Sequence, residues 1–376
     1  MSLRLNSLFA LTAMAVSFSF GCEDSGNNTQ APQITPDSNT LLGYVSLVDG
    51  KMGVVDLDRM DTLFIFKPAT RGVQETAIVD DQKNLYTGDP TQDEIIHYQI
   101  NDKYDGVEEV KRFESPVYIN ALASDRRPGV KDKKFVVTSR VPFLWELVVP
   151  TTDKPDNQIA VYDMDAGDWQ GTVELPSPGR AVVRDNFAYV ANVHHKSVSA
   201  VNLDTLEVTR TENVGPATWP TMDGKAVGPK LVEVSHDGRW LATADYEGLS
   251  ITLFDLENDW AKQVVPVPAV VRSVTFSPDD SQLWAVSYAL HEDVYAACSQ
   301  SDEGCATMGS WYDGPTPANE TANAYRKTTI HAFDFATMQL QREFVSEWAG
   351  QEVTFRPDGT EFYLSTSAGS VLSYDP

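Results

Sequence analysis

The sequence predicts an all-β protein, a β-propeller of seven four-stranded blades. Two recurring elements lead to this prediction. One is an alternating apolar run that ends in an acidic or amide turn, as in IAVYDMDAGDW and ITLFDLENDWA; the other is a strand–turn–strand unit such as VTFSPDDSQLWAVS. They recur at about 40 residues, a period typical of propeller blades. Helical periodicity is absent from the pattern, which favours strands throughout.

The two elements define the strand order within a blade, which we label A to D. The strand–turn–strand unit is A-turn-B, and the run with the acidic turn is C-turn-D. Equivalent residues near the ends of the seven predicted C strands are Asp56, Gln99, Asp163, Asn202, Asp255, Asp334 and Asp375. The predicted propeller domain spans residues 42–376. It begins near a B strand and ends at a C strand, so closure is open and six or eight blades are alternatives.

Three connections are longer than a bare blade requires. They are residues 140–157 and 289–327, between strands B and C, and residues 214–229, between strands D and A. Because strands in a blade alternate in direction, B–C and D–A connections leave from the same face, which we call the looped face. Long loops on a rigid scaffold commonly carry binding sites. The predicted binding residues there are aromatic, although packing against the propeller rim is an alternative role for them: Trp145, Trp219, Tyr246, Trp311 and Tyr312.

One copy of the repeat resembles a known family. YVANVHHKSVSAVNLDTLEV, residues 189–208, is similar to the YVTN-type propeller repeat in its head, Tyr189–Asn192, and in its second strand, Val198–Thr205. The resemblance extends loosely over residues 42–376. It implies the propeller fold of cell-surface adhesion and scaffold domains, lactonases and the propeller domains of periplasmic redox enzymes. Fold alone does not choose among these activities.

The looped face also carries candidate metal ligands. Carboxylates alone suit Ca²⁺ or Mg²⁺, whereas a mixture with imidazole suits Zn²⁺ or Cu²⁺. Adjacent residues of an extended chain point to opposite sides, so at most one of the two neighbouring histidines would face the axis. A polar turn between two strands is the alternative explanation for that pair. The candidates are His194, His195, His291, Asp49, Asp89, Asp93, Glu247 and Asp293.

The N-terminal region predicts export. Residues 1–21 have one cation, Arg4, and an apolar run of signal-peptide length. The segment ending at Cys22 resembles a bacterial lipoprotein signal, which implies lipidation of Cys22, a flexible tether over residues 22–40 and attachment to the outer membrane, facing the periplasm or the exterior. Ser19 stands where that signal prefers Leu, so ordinary secretion is the alternative.

The remaining cysteines predict a disulfide. The chain has three cysteines. If Cys22 is acylated, Cys298 and Cys305 can pair within a short loop in an oxidising compartment.

Charge and motifs limit the function classes. The net charge of −25 would repel nucleic acid and anionic lipid, so any membrane contact is expected through the lipid anchor. The Gly-rich phosphate loop, the G-x-S-x-G elbow, the haem motif and H-E-x-x-H are missing. We therefore predict a monomer that binds an envelope protein or extracellular ligand without chemistry of its own. Alternatives are a metal-dependent lactonase-like hydrolase and a periplasmic electron-transfer or metal-handling accessory.

Overall fold

The fold is described from a computed structural model, which contains strands and no helix among the residues that it describes. Those residues are 42–46, 51–59, 61–68, 76–78, 83–89, 92–125, 134–139, 154–155, 157–215, 228–245, 249–267, 269–288, 328–346, 350–366 and 371–376.

The described strands form seven antiparallel sheets, one per blade. Blade 1 contains β1 (Leu42–Ser46), β2 (Met52–Asp56) and β3 (Asp61–Phe66). Blade 2 contains β4 (Thr76–Ile78), β5 (Asn84–Asp89), β6 (Glu94–Ile100) and β7 (Val107–Glu114). Blade 3 contains β8 (Ala121–Ser124), β9 (Lys134–Ser139), β10 (Gln158–Asp163) and β11 (Asp168–Glu174). Blades 4 and 5 contain β12 (Pro178–Arg184), β13 (Phe187–Asn192), β14 (Ser197–Asn202) and β15 (Glu207–Asn213); and β16 (Pro229–Val234), β17 (Trp240–Asp245), β18 (Ser250–Asp255) and β19 (Ala261–Pro266). Blades 6 and 7 contain β20 (Val270–Phe276), β21 (Gln282–Tyr288), β22 (Thr328–Asp334) and β23 (Gln339–Ser346); and β24 (Gly350–Phe355), β25 (Phe362–Thr366) and β26 (Val371–Tyr374).

The seven sheets confirm the predicted propeller and its blade count, so the alternatives of six and eight blades are wrong. Every sheet is a meander in which consecutive strands pair. Five sheets have four strands. The described part of blade 1 has strands B to D and that of blade 7 has strands A to C, as expected for a domain that begins near a B strand and ends at a C strand.

The innermost strands surround the axis. The A strands of successive blades contact one another from β4 to β24. Strands B and C are buried between neighbouring blades; every residue of β18 is buried, whereas most of the outermost strand β7 is exposed. The core therefore consists of layers between blades, such as the layer in which Leu253 of blade 5 packs with Val274 of blade 6.

Local hydrogen bonds explain the acidic or amide residue at the end of several C strands. The Asn202 side chain accepts hydrogen bonds from the backbone N–H groups of Asp204 and Thr205 at 2.9 and 3.1 Å. Asp334 accepts one from Thr337 N–H at 2.9 Å in the same way. Asp and Asn side chains favour turns through these bonds. The recurring sequence pattern therefore marks C–D turns, and these turns lie on the face opposite the looped face, which we call the turn face.

Contacts on the turn face join blade to blade. The Lys134 ammonium of blade 3 donates to Leu203 O of blade 4 at 2.9 Å. The Arg356 guanidinium of blade 7 contacts Asp58, beyond β2 of blade 1. This last contact joins the final blade to the first and closes the ring.

Candidate functional site

The three long connections leave from the looped face, as the sequence predicted. Residues 140–157 join β9 to β10, residues 289–327 join β21 to β22, and the D–A connection from β15 to β16 covers residues 214–228. Each joins strands whose neighbouring ends point to the same side of the propeller. The structure therefore supports the asymmetry between a face of long connections and a face of short turns.

A ring of buried polar side chains lies beneath the looped face. In blades 2 to 7, one residue of the B strand, at or next to its looped-face end, occupies an equivalent place in the strand register. A buried polar group must find hydrogen-bonding partners or lose free energy. These positions are therefore network centres, and each is less than a tenth exposed: Asp89, Ser139, Asn192, Asp245, Ser287 and Thr366.

Asp245 has the most demanding environment in this ring. Its carboxylate accepts hydrogen bonds from the hydroxyl groups of Thr243 at 2.6 Å, Ser250 at 3.0 Å and Thr252 at 2.5 Å. The Thr252 hydroxyl in turn accepts from Gly215 N–H at 2.7 Å. Burial nevertheless raises the pKa of Asp245 to about 7, because desolvation disfavours the anion more than three hydroxyl donors favour it. The network connects this carboxyl to the start of the long D–A connection.

In blade 4, an amide side chain occupies the position equivalent to Asp245. The Asn192 Nδ2 donates to the hydroxyl groups of Ser197 at 3.0 Å and Ser199 at 2.8 Å. These residues are equivalent to Ser250 and Thr252 of blade 5 in the strand register. A neutral side chain is therefore sufficient to hold a blade together at this position.

Blade 6 brings a serine, a histidine and a glutamate close together near the same level. Ser287 Oγ lies 2.8 Å from His331 Nε2, and His331 Nδ1 lies 3.0 Å from a carboxylate oxygen of Glu343. Burial lowers the pKa of His331, while Glu343 opposes this effect. Ser287 is fully buried and also donates to Thr329 O at 3.1 Å. Because Ser287 is equivalent to Asn192 and Asp245 in the strand register, we interpret these three side chains as structural.

Two of the predicted metal ligands come together on the looped face. Asp89 and Asp93 are 2% and 7% exposed, and one oxygen of Asp93, Oδ1, is buried without a hydrogen-bond partner. Burial raises the pKa of Asp93; the charge of Lys154 and the Ile119 N–H lower it, and the charges of Glu114 and Asp89 raise it further. Asn157 occupies the equivalent left-handed turn position in blade 3, where its side-chain oxygen accepts from Ser177 N–H at 3.0 Å.

The two neighbouring histidines lie in the tight turn between β13 and β14. His194 and His195 are both exposed, and the turn is closed by a 3.0 Å hydrogen bond from His195 N–H to Asn192 O. In the described part of the chain, no group of three or more His, Cys, Asp or Glu residues is arranged to hold a metal ion. The metal site therefore stays a prediction. Residues predicted for binding, metal ligation, lipidation or the disulfide that lie outside the described residues are Asp49, Trp145, Trp219, Tyr246, Glu247, His291, Asp293, Trp311, Tyr312, Cys22, Cys298 and Cys305.

Sequence reasoning missed Asp245, although it named the two following residues. The sequence contained a signal for it: Asp245 aligns with Asn192 when the two hairpins are compared, so its buried position could have been predicted. The raised pKa of Asp245 could not be predicted from the sequence, because the burial of this residue depends on the neighbouring blades.

Comparisons with known proteins support the fold. No family model matches the chain, and no curated protein matches it. A functionally unknown protein from Desulfotomaculum acetoxidans has a similar structure, with a TM-score of 0.61, 12% identity and coverage of 89% of this chain and 92% of that chain. The Cps50 (Swd1) β-propeller domain of Myceliophteria thermophila matches with a TM-score of 0.59, 11% identity and coverage of 91% and 98%.

The chain is a seven-bladed β-propeller. Since 1621 solved chains match this shape, the fold alone does not choose a function. In the part that the structure describes, no helix has the length and apolar character needed to span a membrane.

Proposed function

We propose that this protein is an exported, envelope-anchored β-propeller that binds an envelope protein or an extracellular ligand through its looped face. The observation that supports this proposal is that all three long connections leave from one end of the blades. A propeller needs only short hairpin turns there, as the four residues between β13 and β14 demonstrate. The additional chain is therefore available for recognition.

The proposed interface combines the long connections with the polar ring beneath them. Gly215, at the start of the D–A connection, is bonded to the Asp245 network, so the root of this loop is fixed to the blade. At another root, Thr328 Oγ1 accepts from Gly350 N–H at 2.6 Å. Loops with fixed roots lose less conformational entropy on binding than loops with free roots.

Shortening the longest connection tests the proposal. Replacing residues 289–327 by Asn-Gly would connect Tyr288 to Thr328 through a two-residue turn. These two residues already pair across strands β21 and β22. Asn-Gly is a favoured two-residue hairpin turn. We expect a single thermal transition close to that of the parent and at least about tenfold lower capture of the partner from envelope extract, measured by quantitative mass spectrometry.

A matched control obstructs the other face. A short Gly-Ser segment inserted between Glu257 and Asn258 would enlarge a C–D turn on the turn face. This variant should capture the partner as the parent does. Undiminished capture by the shortened variant, or equal loss in both, would contradict the proposal.

A further inference from the structure

The inner strands of blades 4 to 7 share an irregularity. Each contains a β-bulge that lies opposite the looped-face end of its B strand. Bulges re-aim side chains and often occur near functional sites. Four consecutive inner strands are therefore irregular at the same level, where the central channel opens on the looped face. The residues at or beside these bulges are Gly179, Arg180, Lys230, Arg272, Gln351 and Glu352.

The charge of these inner strands is opposite to that of the whole chain. The protein has 54 acidic and 29 basic residues. In the described inner strands, in contrast, four of the six charged residues are basic, and the short strands β4 and β8 have none. Three of the basic residues, Arg180, Lys230 and Arg272, lie at the bulges of three successive blades. The inner strands are thus net basic, whereas the whole chain is acidic.

An ion pair spans the channel at this level. Arg180 of β12 contacts Glu352 of β24 through their charged groups. Blades 4 and 7 are not neighbours in the ring, because β12 contacts β8 and β16 whereas β24 contacts β20. The two side chains must therefore meet across the axis. Both are about one-third exposed, 33% and 36%, so solvent reaches them.

We propose that the looped-face mouth of the channel binds a small multivalent oxyanion, with carboxylate or phosphate groups, and that Glu352 occupies part of this site in the free protein. Arginine recognises carboxylate and phosphate through the same forked donor geometry. In the free protein, the Glu352 carboxylate occupies the position at Arg180 that the first anionic group of the ligand would take. Arg272, on the inner strand of blade 6, supplies charge for a second group.

This inference rests on the proposed function in one respect, since it assigns a ligand class to the looped face. It uses inner-strand residues, not the long connections. The two proposals can therefore fail separately. Undiminished partner capture by the shortened variant, together with anion binding by the parent, would overturn the proposed function alone. Lower capture by the shortened variant, together with no anion binding by the parent, would overturn this inference alone.

Calorimetric titration of the full chain with tricarballylate and with pyrophosphate tests the inference. We expect one of the two probes to bind at submillimolar concentration, and the preferred probe identifies carboxylate or phosphate as the ligand group. Arg180→Gln should weaken binding at least about tenfold, because a charge-assisted hydrogen bond is lost. Glu352→Gln should tighten it about tenfold, because the competing carboxylate is removed.

Matched controls separate a local site from general charge effects. Arg210→Gln and Glu212→Gln change the net charge equally on β15, the outermost strand of blade 4, where these two residues form an ion pair at 2.9 Å. They should leave both affinities unchanged. Failure of the parent protein to bind either probe at millimolar concentration, or equal effects of Arg180→Gln and Arg210→Gln, would overturn the inference. The opposite sign expected for Glu352→Gln keeps the test decisive if Arg180→Gln does not fold.

Discussion

Several carboxylates of the turn face and two buried carboxyl groups of the looped face lie in opposite electrostatic surroundings. On the turn face, hydrogen bonds from the Ser277 and Thr337 hydroxyls and from nearby backbone N–H groups lower the pKa of Asp279 and Asp334. For Asp280, burial would raise the pKa, but hydrogen bonds from the His236 side chain and from the backbone N–H groups of His236 and Asp237 outweigh it. These acids are held as anions by donors that fix turns and join blades.

Two buried carboxyl groups of the looped face reverse this pattern. The described carboxyl groups with a raised pKa, Asp93 and Asp245, both lie there, and burial is the largest cause for each. The anionic form of such a group is disfavoured until a proton, a cation or a ligand compensates it. The comparison teaches that these acids of the turn face stabilise the fold as ions, whereas the two buried acids of the looped face reduce its stability when ionised.

The largest expected effect comes from Asp245→Asn, which copies the amide of blade 4. In the parent, the folded state binds more protons at Asp245 than the unfolded state between about pH 4 and pH 7. The free energy of unfolding therefore falls as the pH rises through this window, by up to about 4 kcal/mol. Asp245→Asn should lack this decrease in urea denaturation measured across the window.

The reciprocal variant sharpens the same comparison. Asn192→Asp places a carboxyl group among the Ser197 and Ser199 hydroxyls and should introduce a decrease of the same sign. If the free energy of unfolding depended on pH in the same way for the parent and both variants, positions 192 and 245 would be electrostatically alike, contrary to our interpretation.

An intermediate effect is expected at the paired turn positions of blades 2 and 3. Asp93→Asn removes a charge whose anionic form is disfavoured, and Asn157 occupies the equivalent turn position with an amide. We expect Asp93→Asn to stabilise the protein by about 1 kcal/mol near neutral pH and Asn157→Asp to destabilise it similarly. Thermal and chemical denaturation measure both. Destabilisation by Asp93→Asn would mean that its charge has a structural role.

The smallest effect belongs to the turn face. The hydrogen bond to Asp280 raises the pKa of His236, so the protonated imidazole stabilises the folded state. This contribution is complete below about pH 6.5 and is lost as the pH rises through the folded-state value. Because His236 is about half exposed, we expect only about 0.3 kcal/mol from it. An NMR titration should give a pKa above the usual histidine value, and Asp280→Asn should return it towards that value.

Sequence reasoning identified most of the fold because its signals are local. C-strand ends such as Asn202 and Asp334 were recognisable since each side chain bonds to backbone N–H groups two or three residues later. The same repeats located the roots of the long connections. The candidate site was less predictable: the His194–His195 pair is an exposed turn, and Asp245 was missed because its partners and burial come from separate strands and blades.

The sequence by itself determined the blade repeat, the order of strands and the face from which the long connections leave, because these features depend on alternation and turn chemistry within contiguous segments. Only the tertiary structure decided that Arg180 meets Glu352 and that Asp245 is desolvated. Closing seven sheets into a ring brings side chains from distant blades to one axis, and neither the resulting charge proximity nor the burial is encoded in any single repeat.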